Sequence, residues 1–187
     1  MQSSAPSAHD APEPSAWVRR FAPLVATGAR VLDVAAGRGR HARYFAQRGA
    51  RVLAVDRDAE ALAALDGVPG VETRVADLEA GDWPLPGEIF DAIVVVNYLH
   101  RPLLPHLLDA LAPDGALLYE TFAIGNERFG RPSNPAFLLR EGELLELARG
   151  RLCVVAFEQG RIDDGRIAVV QRLAAVGRER SGPLPLR

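Results

Sequence analysis

The sequence of 187 residues contains no lysine, and all 22 of its basic residues are arginine. Chemistry that needs a lysine amine is therefore excluded, both the Schiff base with a carbonyl substrate and the P-loop grip on a nucleoside triphosphate. Cysteine is nearly absent as well. Cys153 stands alone, so the chain forms no internal disulfide and no cysteine metal cluster. Its setting in the apolar run "RLCVVAF" predicts a buried structural thiol. Only four histidines occur, none in an H-E-x-x-H spacing, and no metal is expected. No apolar run approaches the roughly 18 residues that a membrane span needs. The opening "MQSSAPSAHDAPEPS" lacks the apolar centre of a secretory signal, which predicts a reducing, cytoplasmic setting. A net charge of −2 offers no field for nucleic acid or anionic lipid, so neither is an expected partner. No pattern specifies an oligomeric state.

What is present is an ordinary globular composition, 48% hydrophobic and 25% charged, in a length suited to one domain. Residues 1–14, rich in Ser, Ala and Pro, are expected to be disordered, residues 15–178 to form the domain, and residues 179–187 a flexible tail. Within the domain, β-rich runs alternate with helical spacing. "RVLDVA", "ARVLAVD", "VETRVAD", "FDAIVVVNY" and "GALLYETFA" read as strands. Helices are predicted around 17–25, 40–47, 58–65, 103–113 and 142–148, with Asp58 as an N-cap. "RLCVVAFEQG" and "GRIAVVQRLAAV" flank a "DDG" turn and predict a closing hairpin. The expected fold is α/β, a Rossmann-like doubly wound sheet, mostly parallel with one antiparallel strand. In such sheets ligands bind beyond the carboxyl ends of the strands.

Three motifs fall at those ends. Gly37 and Gly39 form a turn after the first strand that lets a ligand approach the backbone. Asp56 closes the second strand, where a carboxylate can accept from both hydroxyls of a ribose. Nicotinamide enzymes and adenosylmethionine enzymes share that arrangement. Asp33 and Asp77 weigh between them. An acid four residues before Gly37 would repel a pyrophosphate and suit a guest bearing an ammonium and a sulfonium. Asp77 could accept from an adenine amino group.

The segment Val31–Asp77 and the final hairpin resemble class I S-adenosylmethionine-dependent methyltransferases, whose seven-stranded sheet inserts its last strand antiparallel. The resemblance implies S-adenosylmethionine as cofactor. It implies Asp33, Gly37 and Gly39 along the methionine part, Asp56 at the ribose, and Asp77 with Leu78 about the adenine. Ala35 stands where the family often has glycine, and Asn97 ends the fourth strand beside the expected site. "NYLHRP" supplies Tyr98, His100 and Arg101 as candidate acceptor-side groups, without the "NPPY" common in base-amino methyltransferases.

The long stretch "ETFAIGNERFGRPSNPAFLLREGEL" has little regular pattern and reads as a binding loop. It offers Glu120, Asn126, Arg128, Phe129, Arg131 and Asn134 as acceptor-binding candidates, with Phe129 and Phe137 as apolar cover. The same stretch is similar to small tellurite-resistance-like methyltransferases, which implies a small-molecule acceptor, an oxyanion or a soft nucleophile. Two rivals stand beside this reading: an NAD(P)-dependent oxidoreductase, and a protein that binds the cofactor or its demethylated product without catalysis.

Overall fold

The computed structural model describes residues 13–163, 165, 167–182 and 184, so most of the segment expected to be disordered lies outside the described residues. Seven strands form one sheet: β1 (Arg30–Val34), β2 (Arg51–Asp56), β3 (Val71–Val75), β4 (Phe90–Val96), β5 (Leu111–Phe122), β6 (Leu152–Asp163) and β7 (Ile167–Gly177). Their order is β3-β2-β1-β4-β5-β7-β6. The pairs β1 to β5 are parallel, and β7 runs antiparallel to both β5 and β6. The expected α/β class and the single reversed strand are both found. The order turns back at β1 and β4, which opens a crevice beyond their carboxyl ends.

Apolar residues on alternate sides of each central strand build two cores. On one face Val31, Val94 and Leu118 pack under α1 (Ala16–Phe21), α2 (Arg40–Gln47) and α3 (Ala59–Ala63). On the other, Leu32, Ile93 and Tyr119 pack under α4 (Leu104–Asp109) and α5 (Glu143–Ala148). Asp58 caps α3 as expected, its carboxylate accepting from the Ala61 N–H. Trp17 anchors α1, 2% exposed, with its indole N–H donating to the Leu173 carbonyl at 3.2 Å.

Two local expectations change. The helix predicted over 103–113 stops at Asp109, and β5 already starts at Leu111. Asp114 and Gly115 sit inside a bulge of that strand, where pairing jumps from Phe90↔Leu111 to Ala92↔Ala116. Gly177 makes the bulge possible, since a Cβ there would lie 2.0 Å from the Pro113 carbonyl oxygen. Cys153 is exposed rather than buried. It lies on β6, the outermost strand, and the apolar run that suggested a core strand is an edge.

Candidate active site

The chain leaves β1 through a tight turn. Ala35 holds φ at 52°, a left-handed conformation unusual for a residue with a Cβ. Gly37 and Gly39 follow at 54° and 74°. The two glycines serve different ends. A Cβ on Gly39 would meet the Leu65 side chain at 2.4 Å, so this glycine is required by packing. A Cβ on Gly37 would meet nothing within 4 Å, so packing does not require this glycine and its positive φ does.

Asp56, at the end of β2, fastens this turn. Its carboxylate accepts from the Gly37 N–H at 2.7 Å and the Asp58 N–H at 2.9 Å. A carboxylate offers about four lone-pair positions, so two remain for a guest. Asp77 accepts from the Glu79 N–H at 2.9 Å through one oxygen and is otherwise exposed. Ala35, Asp56, Asp77, Leu78 and Tyr98 come together as walls of one cleft of about 520 Å³, with Arg57, Ala76 and Glu79.

Asp33 lies behind that cleft, 2% exposed. Its carboxylate accepts from the Ala42 N–H at 2.9 Å, in the first turn of α2. No side chain of the turn caps α2, so a strand carboxylate does the capping instead. Burial pushes the Asp33 carboxyl up to about 7; the Ala42 N–H and Arg40 pull it down, and Asp56 pushes it further up. Between about pH 4 and pH 7 the unfolded chain has lost this proton while the folded chain keeps it. Stability therefore falls as pH rises across that window and levels off above it. Asp33→Asn keeps an acceptor for Ala42 and removes the buried charge. It is expected to stabilise the free protein at pH 8 by about 2–4 kcal/mol and by less than half as much at pH 5. Chemical denaturation at both pH values checks this, and an equal effect at the two would remove the charge from the account.

A second buried cluster stands on the same face. The Ser15 backbone N–H donates to His41 Nε2 at 3.2 Å, and Ser15 Oγ donates to Glu120 Oε1 at 3.1 Å. The other oxygen of Glu120 lies 2.6 Å from Arg172 Nε. Burial, with Arg40 beside it, lowers the His41 pKa to about 3, so the ring is neutral. With Nε2 accepting, the proton is on Nδ1, which points toward Asp33 at 4.0 Å. Sequence reading missed Ser15, His41 and Arg172 as partners. No local pattern marks contacts that join residue 15 to 120, or 120 to 172.

Of the remaining expected site residues, Asn97 and Tyr98 line a further cleft of about 500 Å³ with Glu79, Leu99 and Thr121. Phe122, Pro132 and Phe137 complete its walls. Asn97 has φ 59°, held by its N–H to the Glu120 carbonyl at 2.9 Å. Strained positive φ at a strand end is a mark of functional positions. The Tyr98 hydroxyl is buried without a hydrogen-bond partner. Burial, then the charges of Glu79 and Asp77, raise its pKa well above the usual phenol range, so it stays protonated.

His100 and Arg101 line neither cleft. Arg101 grips Glu143 through Nε at 2.7 Å and Nη2 at 2.9 Å, and donates to the carbonyls of Ala136 and Leu138. It ties the loop after β5 to α5. Asn126 is a latch in the same loop, donating to the Pro132 carbonyl and accepting from the Val169 N–H. Phe129 is exposed beneath Arg161, whose guanidinium lies 5.8 Å from the ring centre. Arg128 and Arg131 are exposed, and Asn134 caps the turn Pro135–Phe137.

Residues 31–115 match the family model of a methyltransferase domain. No curated protein matches the chain. Among solved structures the chain is similar to TehB from Haemophilus influenzae, with TM-score 0.72 and 19% identity over 86% of this chain. The chain spans 61% of that protein's length. A TehB-like SAM-dependent methyltransferase from Corynebacterium glutamicum gives TM-score 0.61 and 22% identity over 87% of each chain. The N-methyltransferase NodS from Bradyrhizobium japonicum, solved with S-adenosyl-L-homocysteine, gives 0.67 and 16%, covering 87% of this chain and 84% of that one.

Proposed function

We propose that this chain, whose residues 31–115 match the model of a methyltransferase domain and whose fold is similar to that of S-adenosylmethionine-dependent methyltransferases, transfers a methyl group from S-adenosylmethionine to a small molecule. The observation that carries the reading is the carboxylate of Asp33 seated on the first turn of α2. That helix end, just past the glycine turn, is where a dinucleotide enzyme would hold its diphosphate. A buried acid there disfavours the diphosphate and favours a guest with positive charge.

The cleft fits such a guest. Asp56 has acceptor capacity left for the ribose hydroxyls. Asp77 and Leu78 suit the adenine edge and face, and Gly37 leaves the space a Cβ would fill. Asn97 borders the same end of the sheet. The donor supplies a methyl carbon activated by a sulfonium, so the protein's part is chiefly positioning, which can account for roughly 7–11 kcal/mol of barrier. Tyr98, protonated and shared by both clefts, serves as a hydrogen-bond donor and not as a base. The acceptor occupies the second cleft. A reducing, cytoplasmic setting belongs to the same proposal and suits the exposed thiol of Cys153.

Thermal denaturation with added ligand tests the reading. S-adenosylhomocysteine at 100 times its dissociation constant is expected to add about 2.7 kcal/mol, seen as a clear rise in melting temperature. NADH is expected to add nothing. Stabilisation by NADH alone would overturn the methyltransferase reading in favour of an oxidoreductase.

A further inference from the structure

We propose that the second cleft selects an apolar amine as methyl acceptor and rejects carboxylates and oxyanions, an assignment that rests on the methyltransferase reading. Four of the walls, Leu99, Phe122, Pro132 and Phe137, are apolar. The polar residues of the lining are Asn97, Thr121, Tyr98 and Glu79, and Glu79 brings its only negative charge. None of the residues lining this cleft is cationic.

An anion placed here would give up part of its hydration to the apolar walls and meet Glu79 with no arginine in the lining to compensate. The arginines named as acceptor-side candidates lie elsewhere. Arg101 is joined to Glu143, and neither Arg128 nor Arg131 contributes to the cleft wall. An ammonium is favoured by the same lining, through the negative charge of Glu79 and the two aromatic rings of Phe122 and Phe137. The cleft is about 500 Å³ with its solvent-filled mouth included, which is more room than an inorganic oxyanion needs. Phe137, 48% exposed, is an aromatic side chain with apolar surface left for a guest to cover.

Glu79 and Tyr98 belong to both clefts, so the two guests are neighbours across these side chains. An amine arriving as ammonium first gives one proton to water or to Glu79. Its lone pair then forms the bond to the methyl carbon as the carbon–sulfur bond breaks, with that electron pair staying on sulfur. The product leaves as the methylated ammonium.

The test is calorimetric titration of protein saturated with S-adenosylhomocysteine, using phenethylamine, 3-phenylpropionate and tellurite as probes. Phenethylamine is expected to bind at least tenfold more tightly than 3-phenylpropionate, and tellurite is expected not to bind. Glu79→Gln should abolish the preference for the amine over the carboxylate, and Phe137→Ala should weaken the amine at least fivefold. Both residues are exposed, so both variants should fold. Equal or tighter binding of either anion overturns the proposal, as does a failure of phenethylamine to bind, or binding unmoved by the two substitutions. If S-adenosylhomocysteine itself does not bind, the methyltransferase reading falls first. If it binds and the amine does not, only the acceptor assignment falls.

Discussion

Asp56→Ala is expected to weaken S-adenosylhomocysteine binding at least 100-fold, measured by calorimetry at neutral pH. Two hydrogen bonds from a ribose to an ionised carboxylate contribute on the order of 1.5–3 kcal/mol each, and about 2.7 kcal/mol corresponds to 100-fold. A second loss adds to this. The same carboxylate ties the N–H groups of Gly37 and Asp58, so the truncation also frees the turn that shapes the cleft. Asp56→Asn separates the two contributions. Its amide oxygen can still accept from one backbone N–H, so the turn is better kept and a smaller loss is expected. An alanine variant that binds with unchanged affinity would remove Asp56 from the cofactor site.

The largest effect on stability is expected from Trp17→Ala, a loss of about 3–5 kcal/mol. The indole is among the largest fully buried side chains, stands 4.5 Å from the Phe21 ring centre, and satisfies the Leu173 carbonyl. For a chain of this length the melting temperature should fall by about 10 °C or more. The consequence reaches the site, because α1 carries Ser15 at its N-cap and Ser15 holds both Glu120 and His41. Trp17→Phe, which keeps most of the ring packing and loses only the indole donor, should cost far less. Equal losses in the two variants would mean that the indole hydrogen bond, and not the buried volume, anchors the helix.

The buried acid Asp33 joins stability to function in the opposite sense. It is unfavourable in the free protein above neutral pH, yet it occupies the helix end that would otherwise attract a diphosphate. Removing it is expected to yield a more stable chain whose preference for a cationic guest is reduced. Such an exchange of stability for selectivity is common at binding sites.

Much of this site is legible in the sequence because its determinants are local. Strand and helix periods are visible within a few residues. A strand that must turn sharply into a helix calls for residues free to adopt positive φ, which marks Gly37 and Gly39. Each polar residue that closes a strand falls by construction near the rim of the sheet, which brings Asp56 and Asp77 to one cleft once the strands are parallel and in register. The acid in "VLDV" stands out because charge inside a buried strand is rare. The failure at α4 and β5 has a non-local cause, since the bulge depends on Gly177, more than 60 residues away from Pro113.

The sequence by itself determined the alternation of elements, the reversed last strand, the glycine turn and the acids along the rim, because each depends on periodicity or backbone freedom within one short segment. Only the tertiary structure decided what each polar side chain faces. It turned Arg101 and Asn126 into struts of the loop and brought Ser15, His41, Glu120 and Arg172 into one buried cluster. It also placed Glu79 and Tyr98 between two clefts. The reason is that a side chain's partner is set by the order of strands in the sheet and by the path of long loops, and neither is written in any local run of residues.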